Sequence, residues 1–173
     1  MLLPNTVLCH QNGTHVFTHS ASEAFEYIVE SGRSKMNGWA EKNLSYPGKE
    51  ILLKAVIQAK PTFSMSCFLL SKGTCKKITS PMAKFWWSGN LDKRSMHWIA
   101  WDKLAIPKEQ GGMGFRDMHK FNIALLGKQA WRLVTNPNSL CAQVLLSRYC
   151  HNQNFMEAVA PKTASVTWRA ILA

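Results

Sequence analysis

Aspartate is scarce. The 173 residues hold three, Asp92, Asp102 and Asp117, and none stands beside another acid. Two-metal nucleotidyl transfer needs carboxylates that converge on divalent ions about 4 Å apart. The chain has no Tyr-x-Asp-Asp, no acidic tetrad of the ribonuclease H kind and no His-Glu pair. Pro47-Gly48-Lys49-Glu50 lacks the earlier glycine and the Ser/Thr of a phosphate-binding loop. Gly111-Gly112-Met113-Gly114 lacks the strand–turn–helix setting of a dinucleotide fingerprint and reads as a sharp loop. No serine, cysteine or histidine arrangement suggests a nucleophile. A self-contained enzyme is not expected, and neither is a cofactor.

Cysteine pairing is missing too. Cys9, Cys67, Cys75, Cys141 and Cys150 are odd in number, widely spaced and without a CxxC, which argues against a disulfide framework. His15 and His19 have HxxxH spacing near Cys9 and His10, yet no second cysteine pair completes a zinc site, so no metal is expected. Pro4 interrupts the opening Met1-Leu2-Leu3, and no window reaches the ~18 apolar residues of a membrane span. These absences predict an intracellular chain, nuclear or cytoplasmic, with no membrane contact.

What is abundant is positive charge and tryptophan. The net charge is +11, and residues 33–132 hold 18 Lys/Arg against six acids, while residues 1–22 carry no charged side chain. A basic middle favours phosphate-bearing partners through counterion release. Five of the seven tryptophans (Trp86, Trp87, Trp98, Trp101 and Trp131) lie in or just beyond Phe85–Phe115, interleaved with Lys84, Lys93, Arg94, Lys103, Lys108 and Arg116. Such rings fill a core or offer stacking faces. The core reading is preferred, with Trp98 and Trp101 expected inside.

An apolar fraction of 46% can bury a core. Apolar spacing and Ser, Asp and Pro signals predict helices near 22–37, 47–60, 74–86, 117–134 and 139–149, a mainly α helical bundle. Ser20 and Glu23 have capping-box spacing, and Asn12-Gly13 signals a turn. In Ile51–Ala59 only Lys54 and Gln58 are polar, which predicts a central helix buried on several sides. Pro61 should kink or end it, and Phe63–Leu70 suits a helical extension or a strand. Cys75, Ile78, Met82, Phe85 and Trp86 have helical spacing, but Gly73 and Pro81 predict a broken helix. Phe121, Leu125, Lys128 and Arg132 share one stripe, where the cations either snorkel or grip phosphates.

From about Glu23 to Ala173 the residues form an ordered series. It runs through Gly48-Lys49-Glu50-Ile51-Leu52-Leu53-Lys54, Met65-Ser66-Cys67-Phe68, Phe85-Trp86-Trp87 and His97-Trp98. It continues through Gly111-Gly112-Met113-Gly114-Phe115-Arg116-Asp117, Phe121-Asn122, Trp131-Arg132-Leu133 and Thr167-Trp168-Arg169. The series resembles the region after the polymerase palm in plant LINE-type (non-LTR) retroelement reverse transcriptases. The resemblance implies a thumb and linker that hold the template–primer duplex, with palm aspartates before this region and a Cys/His zinc segment after it. On that basis residues 1–22 are an unanchored N-terminal segment and 23–87 a thumb-like helical region. Residues 88–116 are a Trp/Gly-rich linker, and 117–173 a helical linker leading towards a zinc-binding segment absent here.

The expected function is a non-catalytic fragment that holds RNA, DNA or their hybrid through phosphates with low specificity. Lys49, Lys54, Lys93, Arg94, Lys128 and Arg132 are the expected contacts. The alternative is a decayed retroelement remnant with no selected activity. The purified chain should show no primer extension and no RNA cleavage with Mg²⁺ or Mn²⁺. Turnover that is lost on mutating Asp92, Asp102 or Asp117 would overturn this.

Overall fold

The computed structural model describes residues 7–11, 14–18, 21–40, 42–150 and 154–173, with side chains from Phe25 onward. Ser20, His19 and Asn12-Gly13 lie outside the described residues, as do the side chains of Cys9, His10 and His15. Strands β1 (Val7–Gln11) and β2 (Thr14–Thr18) pair antiparallel. All the other regular elements described are helical.

Serine and aspartate set where these helices begin. Ser45, Ser71, Ser139 and Ser165 each accept a hydrogen bond from the backbone N–H three residues on, and the Asp117 carboxylate accepts from His119 and Lys120. Each satisfies donors that the first helical turn leaves free. Helix α1 spans Ala21–Ala40, and α2 spans Tyr46–Leu52. Chain direction then changes through a π-turn, Leu53–Ile57, closed by Gln58 N–H donating to the Leu53 carbonyl at 2.9 Å. Short α3 (Thr62–Met65) follows Pro61, so the stretch up to Leu70 is a helical turn and not a strand. Then come α4 (Lys72–Ser88), α5 (Trp101–Leu104), α6 (Met118–Thr135), α7 (Leu140–Tyr149) and α8 (Val166–Ile171).

Three expectations are corrected. Helix α4 is continuous: Gly73 sits in its first turn, where no intrahelical N–H bond is required, and Pro81 is buried with its missing N–H costing one bond. The central helix is α4, which packs against α1, α2 and α6, whereas α2 has no buried residue and leaves Ile51 65% exposed. Only Leu53, Ile57 and Gln58, carried on and just after the π-turn, are buried there. Finally, Trp98 is 76% and Trp131 68% exposed, so neither is core. Trp101 is half-buried, stacked on Phe115 at 4.8 Å.

The larger core joins α1, the π-turn, α3, α4 and the start of α6 through Phe25, Met36, Leu53, Met65, Met82, Phe85 and Met118. A second core gathers Leu133, Ala142 and Ala164 around Trp168, whose ring stacks on Tyr149 at 4.8 Å and meets Phe155 edge-on. Helix α6 serves both. Its buried line is Met118, Asn122, Leu126 and Leu133, while Phe121 and Leu125 are half-buried beside it.

Asn122 is fully buried and fully used. Its Oδ1 accepts from Leu70 N–H at 2.7 Å, and its Nδ2 donates to the carbonyls of Met65 and Phe68 at 2.6 and 2.9 Å. Unpaired buried backbone groups cost about 1–3 kcal/mol each. Asn122→Ala should therefore destabilise the fold by about 3 kcal/mol or more in urea unfolding, and Asn122→Asp, which keeps no donor, should do no better. A change below about 1 kcal/mol would remove Asn122 from this role.

Candidate nucleic-acid interface

Helix α4 buries one face and turns another outward. Lys72, Lys76, Ser80, Lys84 and Ser88 recur every four residues, a row roughly 24 Å long at 1.5 Å per residue that winds about 160° around the helix from its exposed start to its half-buried end. Three clefts lie along it. The first, about 480 Å³, has Lys72, Lys76, Ser80 and His97 on its walls together with Asp102 and Asp117. The second, about 460 Å³, sets Arg33, Lys84, Arg94 and His97 around Pro81 and Leu91. The third, about 260 Å³, is lined by Lys49, Lys93, Trp39, Ser88 and Asn90. Ser80 and His97 belong to both the first and the second cleft, and neighbouring Lys93 and Arg94 link the third to the second.

The cations of the second and third clefts are available. Among the described residues no carboxylate pairs with Arg33, Lys49, Lys84, Lys93 or Arg94. Lys49 is half-buried beside the left-handed Gly89 that ends α4, with its ammonium 5.0 Å from the Tyr46 ring centroid. Desolvation lowers its pKa below the ordinary lysine value. By contrast Lys77, also on α4, is paired with Glu26 of α1.

Lys54 has a different task. Its ammonium donates to Glu50 Oε1 at 2.8 Å and to the Met113 carbonyl at 2.6 Å, and it lies 5.3 Å from the Phe115 ring centroid. Lys108 reaches the same Glu50 oxygen at 2.7 Å. This places Lys54 as the clasp of the loop 104–115. Within that loop Met113 and Phe115 both donate to the Leu104 carbonyl, and Gly114 donates to Ile106. A Cβ at Gly112 would sit 1.9 Å from the Ile106 carbonyl oxygen, and Gly114 has φ +66° beside the Lys54 ammonium. The loop delivers Phe115 between Trp86 and Trp101, at 5.3 and 4.8 Å.

Of the six residues expected as contacts, the structure thus brings Lys49, Lys93 and Arg94 together and commits Lys54 to Glu50. Lys128 and Arg132 are exposed on α6 and line none of these clefts, and Arg132 hydrogen-bonds Gln129 at 3.4 Å. Sequence reading missed Arg33, Lys72, Lys76, Lys84 and His97. The signal for three of them was present as four-residue spacing, hidden by the expectation that Pro81 breaks the helix. Asp102 and Asp117 share the first cleft, but the Asp117 carboxylate caps α6. Among the described residues no group of three or more His, Cys, Asp or Glu could hold a metal ion. No described helix is long and apolar enough to cross a membrane.

Comparison with known proteins finds plant relatives. The chain is 47% identical over 115 residues to the "Uncharacterized mitochondrial protein AtMg00310" of Arabidopsis thaliana, covering 66% of this chain and 75% of that protein. It is 36% identical over 152 residues to the "Putative ribonuclease H protein At1g65750" of the same plant, covering 86% of this chain. It spans 24% of that second relative's length. No family model matches, and no solved structure matches.

The Glu50 cluster predicts an acid limb to stability. Hydrogen bonds from Lys108, then Lys54, hold the Glu50 carboxyl below its ordinary value. Its contribution is therefore complete above the unfolded carboxyl pKa and is lost as pH falls through the lowered folded value. Glu50→Gln should lower the melting temperature at neutral pH and flatten its fall between about pH 5 and pH 3. An unchanged acid limb in the variant would place the sensitivity elsewhere.

Proposed function

The chain belongs to the family of that Arabidopsis mitochondrial protein, and from this premise we propose that it holds a nucleic-acid duplex or hybrid by its phosphates, without chemistry of its own. The two neighbouring cationic clefts at the C-terminal half of α4 carry this reading, because five unpaired cations with no acid among them suit a polyanion. The contacts are Lys49, Lys84, Lys93, Arg94 and Arg33, with Lys72 and Lys76 of the first cleft added. The resemblance of residues 23–173 to the thumb and linker of plant LINE-type reverse transcriptases agrees with this, since such a region grips template and primer behind an active site. The longer relative is named a putative ribonuclease H protein, and ribonuclease H acts on nucleic acid. Phosphate contacts position a duplex without reading its sequence, so low specificity follows.

The test is filter binding of duplexes and hybrids across a salt series. If about four phosphates are neutralised, log K falls with log salt at a slope near −3 to −4. Lys84→Glu with Arg94→Glu should weaken binding to every sequence alike and shallow that slope by about 2. Lys54→Met should lower thermal stability and leave the slope unchanged. A flat salt response, or no binding at about 50 mM salt, would sink the proposal and favour the remnant with no selected activity.

A further inference from the structure

Trp98 is the most exposed of the tryptophans. It is 76% exposed, flanked by Met96 at 68% and Ile99 at 46%, in the irregular segment between α4 and α5. It has no ring partner among the described aromatic contacts. Exposing an indole and its two apolar neighbours together is costly without a ligand for them. Its position says what that ligand is. Trp98 lines none of the three clefts, but it directly follows His97, which with Ser80 lines both the first and the second, and it lies four residues beyond Arg94 of the second. Asp92 is the one acid in residues 88–99, against Lys93 and Arg94.

We infer that Trp98 is a stacking platform for one unpaired base, so that the chain prefers a duplex with a single-stranded overhang to a blunt duplex. The inference rests on the phosphate-binding reading and adds a base to it. A nucleotide offers both things this corner lacks, a planar π-face for the indole and an anion for Arg33, Lys84 and Arg94. A base inside a duplex has both faces stacked on its neighbours, and a terminal pair has a single open face at the end of the stack. An unpaired base beyond the duplex can instead turn a face to Trp98 while its neighbours' phosphates stay on the cations. An apolar protein surface would cover the ring and leave the cations of the neighbouring second cleft without a counter-charge. Stacking tolerates any base, so the preference is for strand state and not for sequence.

The experiment compares one short duplex, blunt and with an overhang, by fluorescence anisotropy on the full chain and on Trp98→Ala and Trp98→Phe. The wild type should bind the overhang form about tenfold more tightly. Trp98→Ala should abolish that difference with blunt-duplex affinity and melting temperature unchanged, and Trp98→Phe should keep most of it. Equal wild-type affinity for the two forms would overturn the inference while leaving phosphate binding in place. So would an overhang preference that survives Trp98→Ala. No binding of either form would overturn both. Concentration-dependent self-association that Trp98→Ala removes, with no overhang preference, would overturn the inference in favour of a protein contact.

Discussion

One side-chain amide holds the larger core together. Asn122 meets three backbone groups of the turn between α3 and α4, and that turn decides where α4 starts. A buried turn is otherwise forbidden, because its backbone groups would be stranded from water. With those groups satisfied by α6, the chain can reverse inside the protein and send α4 through the middle of the bundle. The lysines of α4, and with them the cationic clefts, take their positions from that placement. The link from a single residue to the candidate site is therefore geometric: Asn122 fixes a turn, the turn fixes a helix, and the helix carries the lysines.

The helices were legible because their signals are local. Apolar residues at helical spacing and the starts marked by Ser45 and Asp117 brought each predicted span close to an observed helix, with α4 beginning and ending two residues beyond its predicted bounds. Pro81 was misread because its cost is fixed at about one hydrogen bond plus a steric kink, while the opposing gain, burial of Ile78, Met82, Phe85 and Trp86, depends on partners distant in sequence. The burial of residues 51–59 was misread for the mirror reason. An apolar circumference shows what could be covered, and here nothing described covers Ile51. Asn122 stood in the series that carries the resemblance, but its role was not legible there, since a buried asparagine is recognisable only by the groups it meets.

The candidate site was legible in part. Lys93 and Arg94 were expected from their place in a loop, and Lys49 from its place on or near the exposed side of a helix, and the fold sets them at neighbouring clefts. Lys54 was expected beside them, yet the glycine-rich loop brings the Met113 carbonyl to its ammonium from 59 residues away, and Glu50, four residues before it, supplies a carboxylate. Which lysines are free and which are tied is settled by such tertiary partners. Tryptophan shows the same division: Trp86 and Trp168 are buried, Trp98 and Trp131 lie outside, and their sequence neighbourhoods are alike in charge and apolar content.

The π-turn after α2 bears on how this chain can tolerate change in length. It holds one residue more than an α-helical turn, and each residue advances a helix by 1.5 Å and about 100°. Deleting a single residue between Leu53 and Ile57 would regularise the helix and swing everything after it by that angle. Met65 and Ser64 would leave the core, and the Met65 carbonyl would lose the Asn122 amide. Elsewhere, in the exposed stretch between α4 and α5, a residue gained or lost only lengthens or shortens a loop. The segment that is regular in appearance is thus intolerant of insertion and deletion, and the irregular one beside the cationic clefts is free to vary.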